Sequence, residues 1–167
     1  VNAGAIEAVV EAMHTHLPSE QVQERACGVL RNLTSSIAGN MDRAKDAGAL
    51  EAVLMAMHGH AASCRVQTQT CVALRNLTAG NAVNTAHAGD AKGVEAVVAA
   101  QRRHPMSEGV QESACAALYF LTNGNALNKS RALKAGAKQC AEAALMTHRG
   151  HAKVVEEARD LLHLLSL

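Results

Sequence analysis

One octapeptide recurs three times at a fixed interval in this chain of 167 residues. Residues 27–34 read CGVLRNLT, residues 71–78 read CVALRNLT and residues 115–122 read CAALYFLT, each copy 44 residues after the last. The interval extends further, since NAGAIEAVVEAMHTH near the start returns as DAGALEAVLMAMHGH and again as DAKGVEAVVAAQRRH. A fixed period of this length indicates a tandem array of structural repeats. The predicted repeats are residues 1–36, which are truncated, and 37–80, 81–124 and 125–167.

Each repeat is predicted to contain three helices, a short first one and two longer ones. In the second segment of the first repeat, residues 5–16, apolar residues recur at i, i+3, i+4 and i+7, which is typical of one helical face. The third segment, residues 21–34, carries a similar stripe that includes Leu30, and Leu74 and Leu118 occupy the same point one and two repeats later. We therefore expect all three leucines to be buried.

Polar residues mark the ends of these helices. Ser19, Ser63 and Ser107 stand in register before the third segment, where a hydroxyl oxygen can cap a helix start. Asn81 and Asn125 are predicted to cap the first helix, because asparagine is a favoured N-cap. Gly89 and Gly136 are predicted to end that helix in a sharp bend.

Composition narrows the class of protein. Apolar residues make up 49% of the chain but aromatic residues only 1%, which favours closely packed helices over a sheet. The net charge of +1 offers nothing to attract nucleic acid or an anionic membrane, so neither is expected as a partner. No apolar run approaches the roughly 18 residues of a membrane span, and no signal peptide is recognisable.

The combined motifs resemble the armadillo repeat family, in particular the armadillo arrays of unicellular eukaryotes and algae. They are N-x-x-N, then A-G-A-(I/L)-E-A-V-(V/L), then V-Q-x-x-A-C-x-x-L-R-N-L, within a unit of 44 residues. HEAT repeats, the nearest rival, lack the short first helix and the Leu-x-Asn-Leu ending. The resemblance covers essentially the whole chain and implies an all-α fold, a right-handed α-solenoid whose third helices line a concave groove.

In peptide-binding members of that family, an asparagine near the end of the third helix binds the peptide backbone. The matching residues are Asn32 and Asn76. A carboxamide both donates and accepts hydrogen bonds, so it suits an extended chain of any sequence. The alternative is that these asparagines bind a neighbouring helix end or water. Arg31 and Arg75 flank them and favour an acidic or carboxylate-bearing segment.

The third copy replaces this Arg-Asn pair with Tyr119 and Phe120. The two rings either form an apolar patch on the groove or pack against the fourth repeat. The chain contains no tryptophan, so it lacks the aromatic walls that receive lysine stems in adaptors for nuclear-import signals. Recognition of basic signals in that manner is therefore not expected.

The histidines and cysteines do not suggest a metal site or a disulfide. His16, His60, His104 and His148 recur in register, but neighbouring repeats lie about 8–10 Å apart, whereas a zinc ligand lies about 2 Å from its ion. We expect these rings to cap exposed carbonyls at helix ends. Cys27, Cys71 and Cys115 also recur in register and are predicted to be small buried hydrophobes, with Cys64 and Cys140 outside the pattern. This cysteine usage indicates a reducing compartment, the cytoplasm or the nucleus.

No phosphate-binding loop, G-x-S-x-G motif or paired carboxylates are found, so neither catalysis nor a cofactor is expected. Two functions remain open. One is a protein-interaction module that receives an extended or helical partner segment in its groove. The other is a structural spacer held by its ends and flanks, with end-to-end self-association through incomplete terminal repeats. A start at Val1 and an apolar end, LLHLLSL, suggest a fragment of a longer protein.

Overall fold

The structure, a computed structural model, describes residues 4–35 and 39–167. These residues form eleven α-helices and no strand. In chain order the helices are α1 Ala5–Thr15, α2 Glu20–Ser35, α3 Asn40–Asp46, α4 Ala49–Gly59, α5 Cys64–Thr78, α6 Ala82–Asp90, α7 Gly93–Arg103, α8 Glu108–Thr122, α9 Ala126–Ala135, α10 Ala137–Thr147 and α11 Ala152–Ser166.

The helices repeat as the sequence predicts, and the all-α solenoid is confirmed. We call α3, α6 and α9 the first helices, α1, α4, α7 and α10 the second helices, and α2, α5, α8 and α11 the third helices. The predicted boundary between residues 36 and 37 lies outside the described residues. No helix in the described ranges has both the length and the apolar character needed to cross a bilayer.

The third helices form the most closely packed layer. Each packs along its length against the third helix of the next repeat, whereas successive second helices touch at fewer points. The third helices therefore form one continuous layer along the array. Leu30, Leu74 and Leu118 lie between them with no exposed surface, as predicted.

The cysteines in register lie in the same layer. Cys27, Cys71 and Cys115 are fully buried, which confirms the interpretation of them as small hydrophobes. Burial raises the pKa of each of these thiols to about 12, because the thiolate would lose its hydration.

The predicted serine caps are confirmed. Ser63 Oγ accepts a hydrogen bond from the Val66 backbone N–H at 3.2 Å, and Ser19 and Ser107 make the equivalent contact at 3.4 Å. In the fourth repeat, Nδ1 of His151 takes this role. Asn81 and Asn125 cap the first helices α6 and α9 through their side-chain oxygens, as predicted.

The prediction for Gly136 is confirmed but that for Gly89 is wrong. Gly136 joins α9 to α10 with φ +86°, and Gly48 holds the same position at +73°. In the third repeat this position is occupied by Lys92, with φ +66°, rather than by a glycine. Gly89 lies inside α6, where a Cβ would fall 1.8 Å from Asn128 Oδ1. It is there for close helix packing, and it does not form the bend.

A ladder of glutamines closes the ends of the second helices. Gln67 donates from Nε2 to the carbonyl oxygens of Met57 and His60 at 2.7 and 3.1 Å. Gln23 and Gln111, one repeat before and after, make the same pair of bonds. A buried side chain thus satisfies carbonyls that a helix end leaves without partners.

A set of asparagines in register binds carbonyl oxygens at the C-terminal ends of the third helices in the same way. Asn84, in the first helix α6, donates from Nδ2 to the Leu77 carbonyl at 2.8 Å. Asn40 and Asn128 bond the equivalent carbonyls of Leu33 and Leu121. The asparagine at this position therefore ties α3, α6 and α9 to the third helix before each of them.

The histidines in register connect successive repeats. Nε2 of His60, His104 and His148 lies 2.7–2.8 Å from the carbonyl oxygen of Leu17, Ala61 and Pro105, respectively. The prediction that these histidines bind exposed backbone carbonyls is thus correct. The carbonyl belongs to the loop of the preceding repeat, however, and not to the end of the histidine's own helix. His16 is exposed.

Candidate functional site

The residues predicted to bind a partner lie on successive third helices. We call them the third-helix lane, which consists of Arg31 and Asn32 on α2, Arg75 and Asn76 on α5, and Tyr119 and Phe120 on α8. Asn32 and Arg75 are exposed, and the other four are half-buried. Each pair is displaced from the next by one repeat, so the lane crosses three helices.

The two asparagines of the lane differ in their contacts. Asn76 donates from Nδ2 to the Arg31 carbonyl at 3.1 Å, which links α5 to α2. That bond matches the alternative of a contact with a neighbouring helix, and it uses one of the N–H groups of the carboxamide. Asn32 accepts a hydrogen bond from Nε of Arg31 at 3.2 Å. A peptide-binding role for either residue stays a prediction.

The two aromatic residues form a cluster with an arginine from the repeat before. The rings of Tyr119 and Phe120 meet edge to face, with centroids 5.4 Å apart. Cζ of Arg75 lies 5.4 Å from the centroid of the Phe120 ring, in a cation–π contact. The sequence offered two locations for these rings, the groove surface or the fourth repeat. The cation–π contact links the rings to the second repeat, and the choice between the two locations stays a prediction.

Negative charge gathers at the far end of the lane. Burial raises the pKa of the Glu157 carboxyl on α11, and the charges of Glu156, Asp160 and Glu112 add to the rise, whereas Arg75 lowers it. Arg75 thus lies close enough to Glu157 to favour its ionised form, whereas Arg31 lies one repeat further from these carboxylates. A comparison of equivalent repeat positions does not find this group of carboxylates, because Glu112 and Glu157 are neighbours across two helices.

An open depression adjoins the lane at Phe120. It has a volume of about 320 Å³ and lies where the third helices meet the first helices. Its other lining residues are Thr78, Gly80, Asn81, Ala82, Thr85, Asn123, Gly124 and Asn125. Backbone and small polar groups thus surround one ring, which gives hydrogen-bonding and apolar contacts side by side.

No group of three or more His, Cys, Asp or Glu side chains within residues 4–35 and 39–167 is placed to hold a metal ion. What the lane offers is two guanidinium groups, two carboxamides and two rings along one surface. Such groups bind an extended chain through hydrogen bonds and charge.

Two sets of buried polar residues could have been predicted from the sequence, because they recur at the repeat interval. Gln23, Gln67 and Gln111 recur at an interval of 44, as do Asn40, Asn84 and Asn128. A polar residue that recurs on an otherwise apolar face indicates a repeated buried hydrogen bond. Both sets prove to be structural.

Comparison with known proteins identifies the fold. No protein-family model and no curated protein matches the chain. An engineered protein solved by the Northeast Structural Genomics Consortium is 27% identical, with a TM-score of 0.86, over 98% of this chain and 64% of that one. A second engineered protein from the same consortium is 23% identical, with a TM-score of 0.83, over 99% of this chain and 64% of that one.

A designed armadillo repeat protein is 22% identical to the chain, with a TM-score of 0.80, over 97% of this chain and 65% of that one. The chain thus spans just under two thirds of the length of each of these three proteins. Similarity at this level of identity concerns the fold, which agrees with the three-helix unit described above. The chain folds as an armadillo-like α-solenoid.

Proposed function

We propose that the chain is a non-catalytic protein-interaction module that binds an extended, acidic segment of a partner protein along the third-helix lane. The observation that carries the proposal is the alignment of Arg31, Arg75 and their neighbouring asparagines on successive helices. Helices that pack about 10 Å apart match a peptide that advances about 3.3 Å per residue. Every third peptide residue would then meet the same kind of side chain.

Charge favours one orientation of the partner segment. Arg31 and Arg75 attract carboxylates, while Glu156, Glu157 and Asp160 on α11 repel them. An acidic stretch would therefore lie over α2 and α5, and the following residues would be neutral or basic toward α11. The aromatic cluster between these regions would contact apolar residues of the segment.

Binding of labelled peptides about ten residues long tests the proposal, since that length crosses at least three third helices. An acidic peptide should bind more tightly than a basic peptide of the same apolar composition. Arg31→Glu combined with Arg75→Glu should weaken binding of the acidic peptide about tenfold, or about 1.4 kcal/mol. Fluorescence anisotropy at fixed salt measures both affinities.

The matched control is Arg43→Glu combined with Arg103→Glu. It makes the same charge change at exposed residues of a first and a second helix, away from the lane. Equal loss of affinity in both double variants would place recognition outside the lane. Asn32→Ala adds a finer test, because it removes a carboxamide of the lane without touching the bond between Asn76 and Arg31.

The alternative function, a spacer held by its ends, is favoured by an apolar surface on the first repeat. Val29 is 42% exposed, whereas the equivalent Ala73, Ala117 and Leu161 are fully buried against the repeat before. Val29 borders a depression of about 360 Å³ that is lined mostly by apolar side chains. End-to-end association through this surface should give concentration-dependent dimers in sedimentation velocity, and Val29→Lys should abolish them.

We also propose that the chain belongs to the natural armadillo family and functions in a reducing compartment, the cytoplasm or the nucleus. The motifs that recur in register support the family, as does the similarity to a designed armadillo repeat protein. The five cysteines are all free thiols, which supports the compartment.

A further inference from the structure

The first residue of α5 carries an exposed thiol beside a buried imidazole. Sγ of Cys64 lies 3.1 Å from Nδ1 of His104, a ring that is only 8% exposed. Nε2 of the same ring lies 2.7 Å from the Ala61 carbonyl oxygen. Because a carbonyl only accepts, Nε2 must carry a proton, and Nδ1 of the neutral ring is an acceptor aimed at the thiol. The histidine is thus fixed in the tautomer that can take the proton of Cys64.

Cys64 is the first residue of helix α5. The residue follows Ser63, the N-cap of α5, so its side chain lies at the positive end of a 15-residue helix. The same position one repeat before and one after holds Glu20 and Glu108. Cys64 therefore stands where both neighbouring repeats place a carboxylate.

Two open depressions give access to the sulfur. One, of about 500 Å³, is also lined by Glu20, His60 and Arg65. The other, of about 270 Å³, includes Gln69, whose Oε1 is buried and has no hydrogen-bond partner among the described residues. The sulfur is therefore accessible to a small disulfide from solvent.

We propose that Cys64 is a site of reversible mixed-disulfide formation with low-molecular-weight disulfides, with His104 as its base. The thiol proton passes to Nδ1 of His104, and the Cys64 thiolate attacks one sulfur of the incoming disulfide. The S–S bond of the reagent breaks as the new S–S bond to Cys64 forms. The departing thiolate takes the proton from the imidazolium. Cys64 sulfur is oxidised, and the released sulfur is reduced.

The experiment treats the native chain with excess oxidised glutathione at neutral pH and follows each cysteine by peptide mass spectrometry. Cys64 should acquire a glutathionyl group at least about tenfold faster than the half-buried Cys140, and dithiothreitol should remove it. The three buried cysteines should stay unmodified, since their pKa of about 12 leaves almost no thiolate. A Cys64 that reacts no faster than Cys140 would overturn the proposal.

His104→Gln separates the role of the base from simple exposure. The glutamine amide can still donate to the Ala61 carbonyl but cannot take the thiol proton, so the rate at Cys64 should fall about tenfold or more. The matched control is His148→Gln, which removes the same ring at the next junction, where Glu108 replaces the cysteine. It should leave the rate at Cys64 unchanged.

Circular dichroism establishes that both variants retain the native helix content before the rates are compared. An unchanged rate in folded His104→Gln contradicts the role of the histidine. If His104→Gln fails to fold, wild-type alkylation by iodoacetamide decides instead. Cys64 should then react faster than cysteine in a short unstructured peptide, and an equal or slower rate rejects the proposal.

Discussion

At the scale of single residues, Lys92 is the clearest departure from the repeat. It adopts φ +66°, where the first, second and fourth repeats place Gly4, Gly48 and Gly136. A left-handed conformation costs a residue with a Cβ roughly 1–2 kcal/mol. The next residue, Gly93, does not have a positive φ, and a Cβ there would lie 2.8 Å from the Ala88 carbonyl oxygen, so this glycine serves close packing instead. The third repeat therefore stores backbone strain at Lys92.

Lys92→Gly should stabilise the chain by about 0.5–1 kcal/mol. Relief of the left-handed strain outweighs the extra freedom that glycine gives the unfolded chain. The contact that the variant loses is the 3.9 Å ion pair with Glu95, which is exposed and contributes little. Urea unfolding followed by circular dichroism measures the change.

The reverse substitution, Gly48→Lys, serves as the control and should destabilise by a similar amount. Gly48 has φ +73° and enough room for a Cβ, so the backbone conformation is the main difference. A destabilised Lys92→Gly variant would show that the lysine side chain contributes more than its exposed ion pair suggests.

At the scale of helices, the third helices differ in how completely they are covered. Leu74 on α5 is fully buried between the third helices before and after it. Leu162 holds the same position on α11 but is only half-buried, since α11 packs against α8 on one side. The cost of removing an equivalent side chain should therefore depend on the repeat.

Leu74→Ala should cost about 2–5 kcal/mol of unfolding free energy, and Leu162→Ala clearly less. The larger cost reflects a cavity that the packed helices cannot fill. Denaturant titration of both variants gives the comparison. If both variants lose the same unfolding free energy, Leu162 is packed as tightly in the last repeat as Leu74 is in an inner one.

The features that the sequence could predict depend on nearby residues or on the repeat pattern. The Ser63 cap depends on residues three apart, and the burial of Leu74 follows from helical periodicity, so both were accessible. A contact of Asn76 with a neighbouring helix was one of the two alternatives, but the Arg31 carbonyl could not be named, because a backbone acceptor on another helix has no sequence signature. The same holds for the thiol of Cys64, whose partner His104 lies 40 residues away. Gly89 was misassigned because a glycine near a helix end predicts a bend as readily as a close contact.

The lane itself was only partly accessible to sequence reasoning. Arg31, Asn32, Arg75 and Asn76 were assigned through the family resemblance, and their helices are where the repeat predicts. The cation–π contact between Arg75 and Phe120 was missed, since it joins unlike positions of two repeats. Charges that neighbour each other across α8 and α11 were missed for the same reason.

At the scale of the whole molecule, stability should vary along the array. Helices α5 and α8 each pack against third helices on both sides, whereas α2 and α11 do so on one side only. In a repeat array, units with two neighbours open less often than units with one. The middle of the chain should therefore be the most protected region.

Hydrogen exchange measured by mass spectrometry should show the slowest amides in α5 and α8. Amides of α11 should exchange at least about tenfold faster, because the free energy of opening should be lower at the end of the array. A tenfold difference in exchange corresponds to about 1.4 kcal/mol of opening free energy. Leu74→Ala should reduce the difference between the middle and the end. Uniform protection across all third helices would indicate a single cooperative unit.

The contacts of His60, His104 and His148 with the preceding repeat have a consequence for how such a chain can change in length. The donor ring belongs to one unit, but the acceptor is a main-chain carbonyl of Leu17, Ala61 or Pro105, whose side chains differ in size and shape. The loops can therefore accumulate substitutions, even a proline, without loss of this hydrogen bond. A duplicated unit would bring its own ring and offer its own carbonyl to the next. Whole units could be gained or lost in this way with no compensating mutation at the seam.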